Sequence, residues 1–190
     1  MTALDMALPS TLHQLDLQLA NVDRGVDRAL SLRIARHPSE TMERVWLRAL
    51  ALAWQWEEGI AFGPGLCEPD AADVLAMRPD GRASLLVRVG RPAPERVARD
   101  VAQNAGARVA VLFEGPRRME AFLQEARELR LDRLARAELA ALDPDLLGTL
   151  GAHEDRRLKA ALTIVSDHLY LDLAGRSVDG PLHRGAYPEP

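Results

Sequence analysis

The chain reads as an α/β protein with a central mixed β-sheet flanked by helices and a β-hairpin toward each end. Three observations predict this. Strict alternation of apolar and polar residues in Leu15–Leu19 and Leu30–Ile34 marks half-buried strands. From Met42 to Ala53, apolar residues recur every three or four positions, the stripe of a long helix. Two nearly continuous apolar runs, 84–90 and 107–113, suit strands covered on both faces.

The elements follow in order. Asn21, Asp23 and Gly25 supply turn chemistry between the first two strands, so a hairpin with a loop longer than two residues is expected. Pro38 pushes His37 out of helical geometry, Ser39 can cap the helix that follows, and Glu40 sets a negative charge at its positive end. Glu40, Arg44 and Arg48 stand four apart and read as a solvated charge ladder. Trp46, Trp54 and Trp56 read as packing surface of this helix. Residues 59–65 read as a Gly/Pro loop, Val74–Met77 as a short strand and Arg78-Pro79-Asp80-Gly81 as a turn.

A helix over 94–105 follows, with Val97, Val101, Ala102 and Ala105 inward, then the strand of 107–113 and a helix over 117–129. Residues 131–140 fit either a helical extension or an edge strand. Asp143-Pro144 opens a helix expected to reach 161, and a last hairpin turns at Ser166-Asp167. The reading is one domain over residues 1–174, with 175–190, rich in Gly, Pro and His, as a loosely held tail.

Composition narrows the function classes. With 47% hydrophobic and 27% charged residues the chain is ordinary for a globular protein. No apolar run is long enough to cross a bilayer, and the first residues lack a basic segment followed by an apolar core, so neither a membrane location nor secretion is expected. The single Cys67 excludes an internal disulfide and a multi-cysteine zinc site, which fits a reducing bacterial cytoplasm. A net charge of −4 argues against nucleic-acid binding across the whole surface, and 4% aromatic residues argue against a base-stacking platform. Nine arginines nevertheless fall between Arg78 and Arg118, which suits a phosphate-facing patch or simply the exposed side of strands and a helix. His153-Glu154-Asp155 reads as a solvated helix face, and neither a P-loop nor a G-x-S-x-G elbow is present.

The most distinctive stretch is Ala35-Arg36-His37-Pro38-Ser39-Glu40-Thr41-Met42-Glu43-Arg44. With Gly65-Leu66-Cys67 and the closing TIVSDHLYL, it resembles the signature of the YaeQ-like family of small bacterial proteins. Their fold resembles that of the PD-(D/E)XK nucleases, and the predicted order of helix, two strands, helix and strand matches the core shared by that class. The resemblance implies metal-binding acids. Glu43, whose neighbours at plus three, four and seven are Trp46, Leu47 and Leu50, is either a border carboxylate paired with an arginine or the helix acid of a metal site. The next acid is Asp73 by counting from Gly65 and back from Gly81, or Asp70 through the displaced Glu68-Pro69-Asp70; the ungapped count favours Asp73.

Where the family carries Trp-Ile-Glu-x-Gly, this chain has Leu86-Val87-Arg88-Val89-Gly90, so Arg88 replaces the acid and Gly90 stands where a nuclease lysine would be. A guanidinium stays protonated and cannot ligate a divalent cation. Arg88 is expected to pair with Glu43 or Asp73, or to meet a phosphate, with Arg91, Arg96 and Arg99 as further anion-binding candidates. The expectation is a catalytically inactive relative, without a cofactor, that binds a protein or a nucleic acid. The alternative is a nuclease holding Mg²⁺ or Mn²⁺ on Glu43 and Asp70 or Asp73.

Overall fold

Alternating patterns at both ends of the chain are drawn into one sheet. The computed structural model describes residues 10–64, 68 and 70–188. Strands β1 (Thr11–Asn21) and β2 (Val26–Arg36) form the first hairpin around a short 3₁₀ turn, Val22–Arg24, that ends on Gly25. Helix α1 (Met42–Trp54) follows, then β3 (Ile60–Phe62), β4 (Val74–Met77), β5 (Ala83–Gly90), α2 (Pro94–Gln103), β6 (Arg108–Phe113) and α3 (Pro116–Glu128). The chain closes with β7 (Ala137–Leu142), α4 (Pro144–Gly151), β8 (Arg157–Val165), β9 (His168–Leu173) and β10 (Arg176–Gly185).

All ten strands belong to one sheet in the order β2-β1-β8-β9-β10-β7-β6-β5-β4-β3. It is mostly antiparallel; β1 with β8, β5 with β6 and β6 with β7 run parallel. The sheet curls until both of its edge strands, β2 and β3, pack against α1. A helix so enclosed has no solvent side, and every residue of α1 except Glu43 and Arg44 is buried. Strands β5 to β7 are covered on both faces. On β6, Ala110 and Leu112 join the core around α1, while Val109, Val111 and Phe113 meet α2 and α3 outside.

Several expectations change. The loop at 59–65 contains the short edge strand β3. The helix expected over 144–161 stops at Gly151, and Leu158, Ala160, Leu162 and Ile164 alternate inward as β8, a period of two that outweighs local helix propensity. His153-Glu154-Asp155 consequently lies in the connection between α4 and β8. The ambiguous segment becomes a 3₁₀ turn, Asp132–Arg136, and then β7, a central rather than an edge strand. Ala102 and Ala105 are exposed, and Ala98 takes the inward position.

The largest correction concerns the tail. Arg176–Gly185 is β10, paired with β9 through Arg176–Pro181 and with β7 through Leu182–Gly185. Pro181, which has no N–H, sits where pairing passes from one neighbour to the other. Gly180 and Gly185 are demanded by packing: a Cβ would lie 3.0 Å from Asp143 Cβ at the first and 2.5 Å from Met119 Sδ at the second. The Gly and Pro that suggest a loose tail are there to let a strand pass closely under α4 and α3.

Candidate functional site

At the N-terminal end of α1 the chain turns through His37–Thr41, and the cap differs from the expected one. Thr41, not Ser39, is the N-cap, its Oγ1 accepting from the Arg44 N–H at 3.3 Å. Ser39 is exposed and its hydroxyl lies 2.7 Å from His37 Nδ1. Glu40 points inward. Its carboxylate accepts from the His37 N–H (2.8 Å), from Arg44 Nε (3.2 Å) and from Arg48 Nη2 (3.2 Å). The side chains of Glu40 and Arg48 are each only 3% exposed, so the expected solvated ladder is a buried ion-pair cluster. Burial pushes the Arg48 guanidinium below its usual pKa, and the Glu40 charge opposes that.

Arg44 links this cluster to the sheet. Its Nη2 donates to Asp73 Oδ1 at 2.5 Å and its Nη1 to the Val89 carbonyl at 3.3 Å. Asp73, just before β4, also accepts from the Val89 N–H through Oδ2 at 2.9 Å. Burial raises the Asp73 carboxyl above its ordinary pKa, against the lowering pull of Arg44 and of the Val89 N–H. Gly90 adopts φ +83°, and a Cβ there would lie 3.2 Å from Arg44 Nη1, so glycine serves both the left-handed turn and the guanidinium beside it.

Arg88 faces the other way. Val87 and Val89 point to the core around α1, so their neighbour on the strand points outward, toward α2. Its Nε and Nη2 donate to the two Asp100 oxygens at 2.6 and 3.1 Å, a bidentate pair, while Nη1 and Nη2 donate to the Ala71 and Asp70 carbonyls at 3.0 and 2.9 Å. The expected pairing with Glu43 or Asp73 is therefore replaced by one with Asp100. Glu43 is half-buried, with its side chain against Gly151 at the end of α4.

These elements enclose a cleft of about 540 Å³ whose lining includes Ser39, Thr41, Arg44, Asp73, Arg88, Arg91, Arg96 and Glu114. Asp70 is 86% exposed and pairs with Arg96 Nη1 at 2.6 Å; Arg91 Nε donates to Glu114 at 3.0 Å. Arg99 lies outside, in a separate groove between α2 and the 132–136 turn. Among the described residues no three His, Cys, Asp or Glu side chains gather closely enough to hold a metal ion. Gly65-Leu66-Cys67 and Pro69 fall outside the described residues. The structure thus gathers Asp73, Arg88, Arg91 and Arg96 around one cleft and leaves Glu43 and Arg99 out of it. Sequence reasoning missed Glu40 and Arg44 as members, and Arg48 and Asp100 as the ion-pair partners of Glu40 and Arg88 behind them. One signal was available: the run Ala49–Trp54 leaves α1 no polar face, so charges near it must be paired inside.

No described helix is long and apolar enough to cross a membrane. Comparison with known proteins agrees with the architecture. The chain is 29% identical over 166 residues to "Uncharacterized protein YaeQ" of Escherichia coli (strain K12), covering 87% of this chain and 90% of the relative. To the protein of the same name in Salmonella typhi it is 26% identical over 174 residues, covering 92% and 94%. The crystal structure of YaeQ protein from Xanthomonas axonopodis pv. citri superposes with a TM-score of 0.85 at 26% identity, covering 94% of this chain and 99% of that one. The YaeQ protein from Pseudomonas syringae gives 0.81 at 26% identity, covering 94% and 98%. The family described as YaeQ protein matches residues 6–180, and the chain belongs to it.

Proposed function

We propose that this YaeQ-family chain is a catalytically inactive, PD-(D/E)XK-like protein that acts by binding a protein partner in the cleft beside the start of α1. The observation that carries this reading is the state of Arg88. At the strand position where the nuclease pattern needs an acid, a guanidinium is fixed by Asp100 and two carbonyls. Metal-assisted phosphodiester hydrolysis needs a divalent cation held by carboxylates with water positions left open. Here Asp73 is already engaged by Arg44 and the Val89 N–H, Asp70 is paired with Arg96, and Glu43 lies against Gly151. The order α1, β3, β4, β5, α2, β6, a helix, strands, a helix and a strand, supports descent from the nuclease core, with its chemistry replaced by ion pairs.

Charge favours a protein over a nucleic acid. The cleft lining contains four arginines (44, 88, 91, 96) against four carboxylates (Glu40, Glu68, Asp73, Glu114), and the whole chain carries −4. A polyphosphate would meet as much repulsion as attraction there. Calorimetric titration of metal-stripped protein with Mn²⁺, beside Glu43→Ala and Asp73→Ala, tests the reading. No saturable heat at millimolar Mn²⁺ is expected. Saturable binding lost in either variant would overturn it and revive a nuclease using Glu43 with Asp70 or Asp73.

A further inference from the structure

We propose that one water molecule, bound in a small cavity between β1 and the first two turns of α1, bridges His13 Nε2 and Trp46 Nε1 and ties the first hairpin to the helix. This cavity shares no described lining residue with the cleft, so the bridge stands independently of the binding reading above.

Two buried rings supply complementary chemistry. His13, on β1, is 5% exposed and Trp46, on α1, is 3% exposed. His13 Nδ1 lies 3.1 Å from the Asp155 carbonyl oxygen. That oxygen can only accept, so Nδ1 carries the proton and, in the neutral ring, Nε2 is left as an acceptor. The indole Nε1 of Trp46 can only donate. Neither atom has a hydrogen-bond partner among the described residues, and both rings line the same cavity. Buried polar atoms rarely go unpaired. A donor and an acceptor beside one space, not bonded to each other, call for a group that accepts from the one and donates to the other. Water does both.

The size and lining of the cavity select the ligand. Its volume of about 20 Å³ holds one water and is too small for an organic molecule. Leu15, Ile34, Met42, Val45 and Leu158 form most of its wall. Among the described residues no carboxylate or thiol lines it, so a cation would find no counter-charge there. With the bridge in place His13 joins three parts of the fold: β1, which carries it, α1 through the water, and the connection between α4 and β8 through Asp155, 142 positions away along the chain. The same end of α1 carries Arg44 and faces the cleft, so the bridge holds the helix where the cleft is built.

The test is nuclear magnetic resonance on the full isotope-labelled chain at about pH 8, where an ordinary imidazole is neutral. Three readings are expected from the wild type. The His13 ring carries its proton on Nδ1. The Trp46 indole proton gives a rotating-frame Overhauser cross-peak to water, opposite in sign to chemical exchange; no hydroxyl among the described lining residues can relay it. No scalar coupling connects Trp46 Nε1 with His13 Nε2. His13→Phe should abolish the water cross-peak at Trp46, and if that variant does not fold the three wild-type readings still decide. A scalar coupling between the two nitrogens would replace the water with a direct hydrogen bond. A proton on Nε2, a missing water cross-peak, or one that persists in folded His13→Phe would each overturn the bridge. None of these readings involves Mn²⁺ or a partner, so failure here is distinguishable from failure of the binding reading.

Discussion

Replacing Glu40 with Gln removes one charge from the interior and leaves its neighbours in place. The wild-type carboxylate accepts three hydrogen bonds, two of them from guanidinium groups, and both Glu40 and Arg48 side chains are 3% exposed. After Glu40→Gln, Arg48 keeps the Ala35 carbonyl at 2.6 Å but no carboxylate partner. Breaking a buried pair by removing one member costs ~3–5 kcal/mol, because the other charge stays buried and uncompensated. A surface ladder would lose at most ~1 kcal/mol. For a domain of this size each kcal/mol moves the melting temperature by ~2–4 °C, so a fall of ~6–20 °C is expected.

Urea unfolding at pH 7 can be followed by tryptophan fluorescence, since Trp46 and Trp54 both lie on α1 and are only 3% and 2% exposed. The double replacement Glu40→Met with Arg48→Met should recover most of the loss, because apolar groups of similar size remove the desolvation cost together with the attraction. A Glu40→Gln variant within ~1 kcal/mol of wild type would refute the buried cluster and restore the solvated ladder.

Further outcomes follow from the other end of α1. Glu138 accepts from Gln55 Nε2 (2.8 Å), Arg24 Nη2 (3.0 Å) and Arg184 Nη1 (2.7 Å); burial pushes its carboxyl up, but these partners prevail and hold it below the ordinary range. A depressed folded-state pKa gives stability that is present above the unfolded value of about 4.3 and lost as pH falls through the folded one. The urea-midpoint advantage of wild type over Glu138→Gln should therefore shrink on acidification below about pH 4.3, and a constant difference would contradict the assignment. Asp73 acts with the opposite sign: its folded pKa is raised, so wild type should gain on Asp73→Asn as pH falls from neutrality toward about 3.9. Ending the chain at Ala174 removes β10 and the buried Tyr187, whose hydroxyl donates to the Ala126 carbonyl. That truncation should abolish the cooperative melt seen by circular dichroism; a retained transition near the full-length midpoint would mean that β10 is dispensable after all.

How much of this was legible varies with the range of the forces involved. Alternation placed β1 and β2, and the apolar stripe placed α1, because local periodicity records which side of an element meets the core. The turn at Ser166-Asp167 was equally readable, and both residues take positive φ, 51° and 56°, as a two-residue hairpin turn requires. The end of α4 and the strand at β8 were present as alternation, yet helix-favouring residues around 153–158 obscured it. For β10, Gly and Pro chosen for close packing are indistinguishable, in sequence, from Gly and Pro of a loose segment.

By itself, then, the sequence determined the α/β class, the strands and helices with strong local period, and the family signature. Only the tertiary structure decided the partners of the charges. Glu40, Arg44 and Arg48 share a face at any four-residue spacing, but that face is dry only because ten strands curl around α1. Arg88 meets Asp100 and not Asp73 because alternation along β5 turns it toward α2, a direction fixed once the sheet has an inside. An ion pair depends on distance and burial in space, and neither is a property of spacing along the chain.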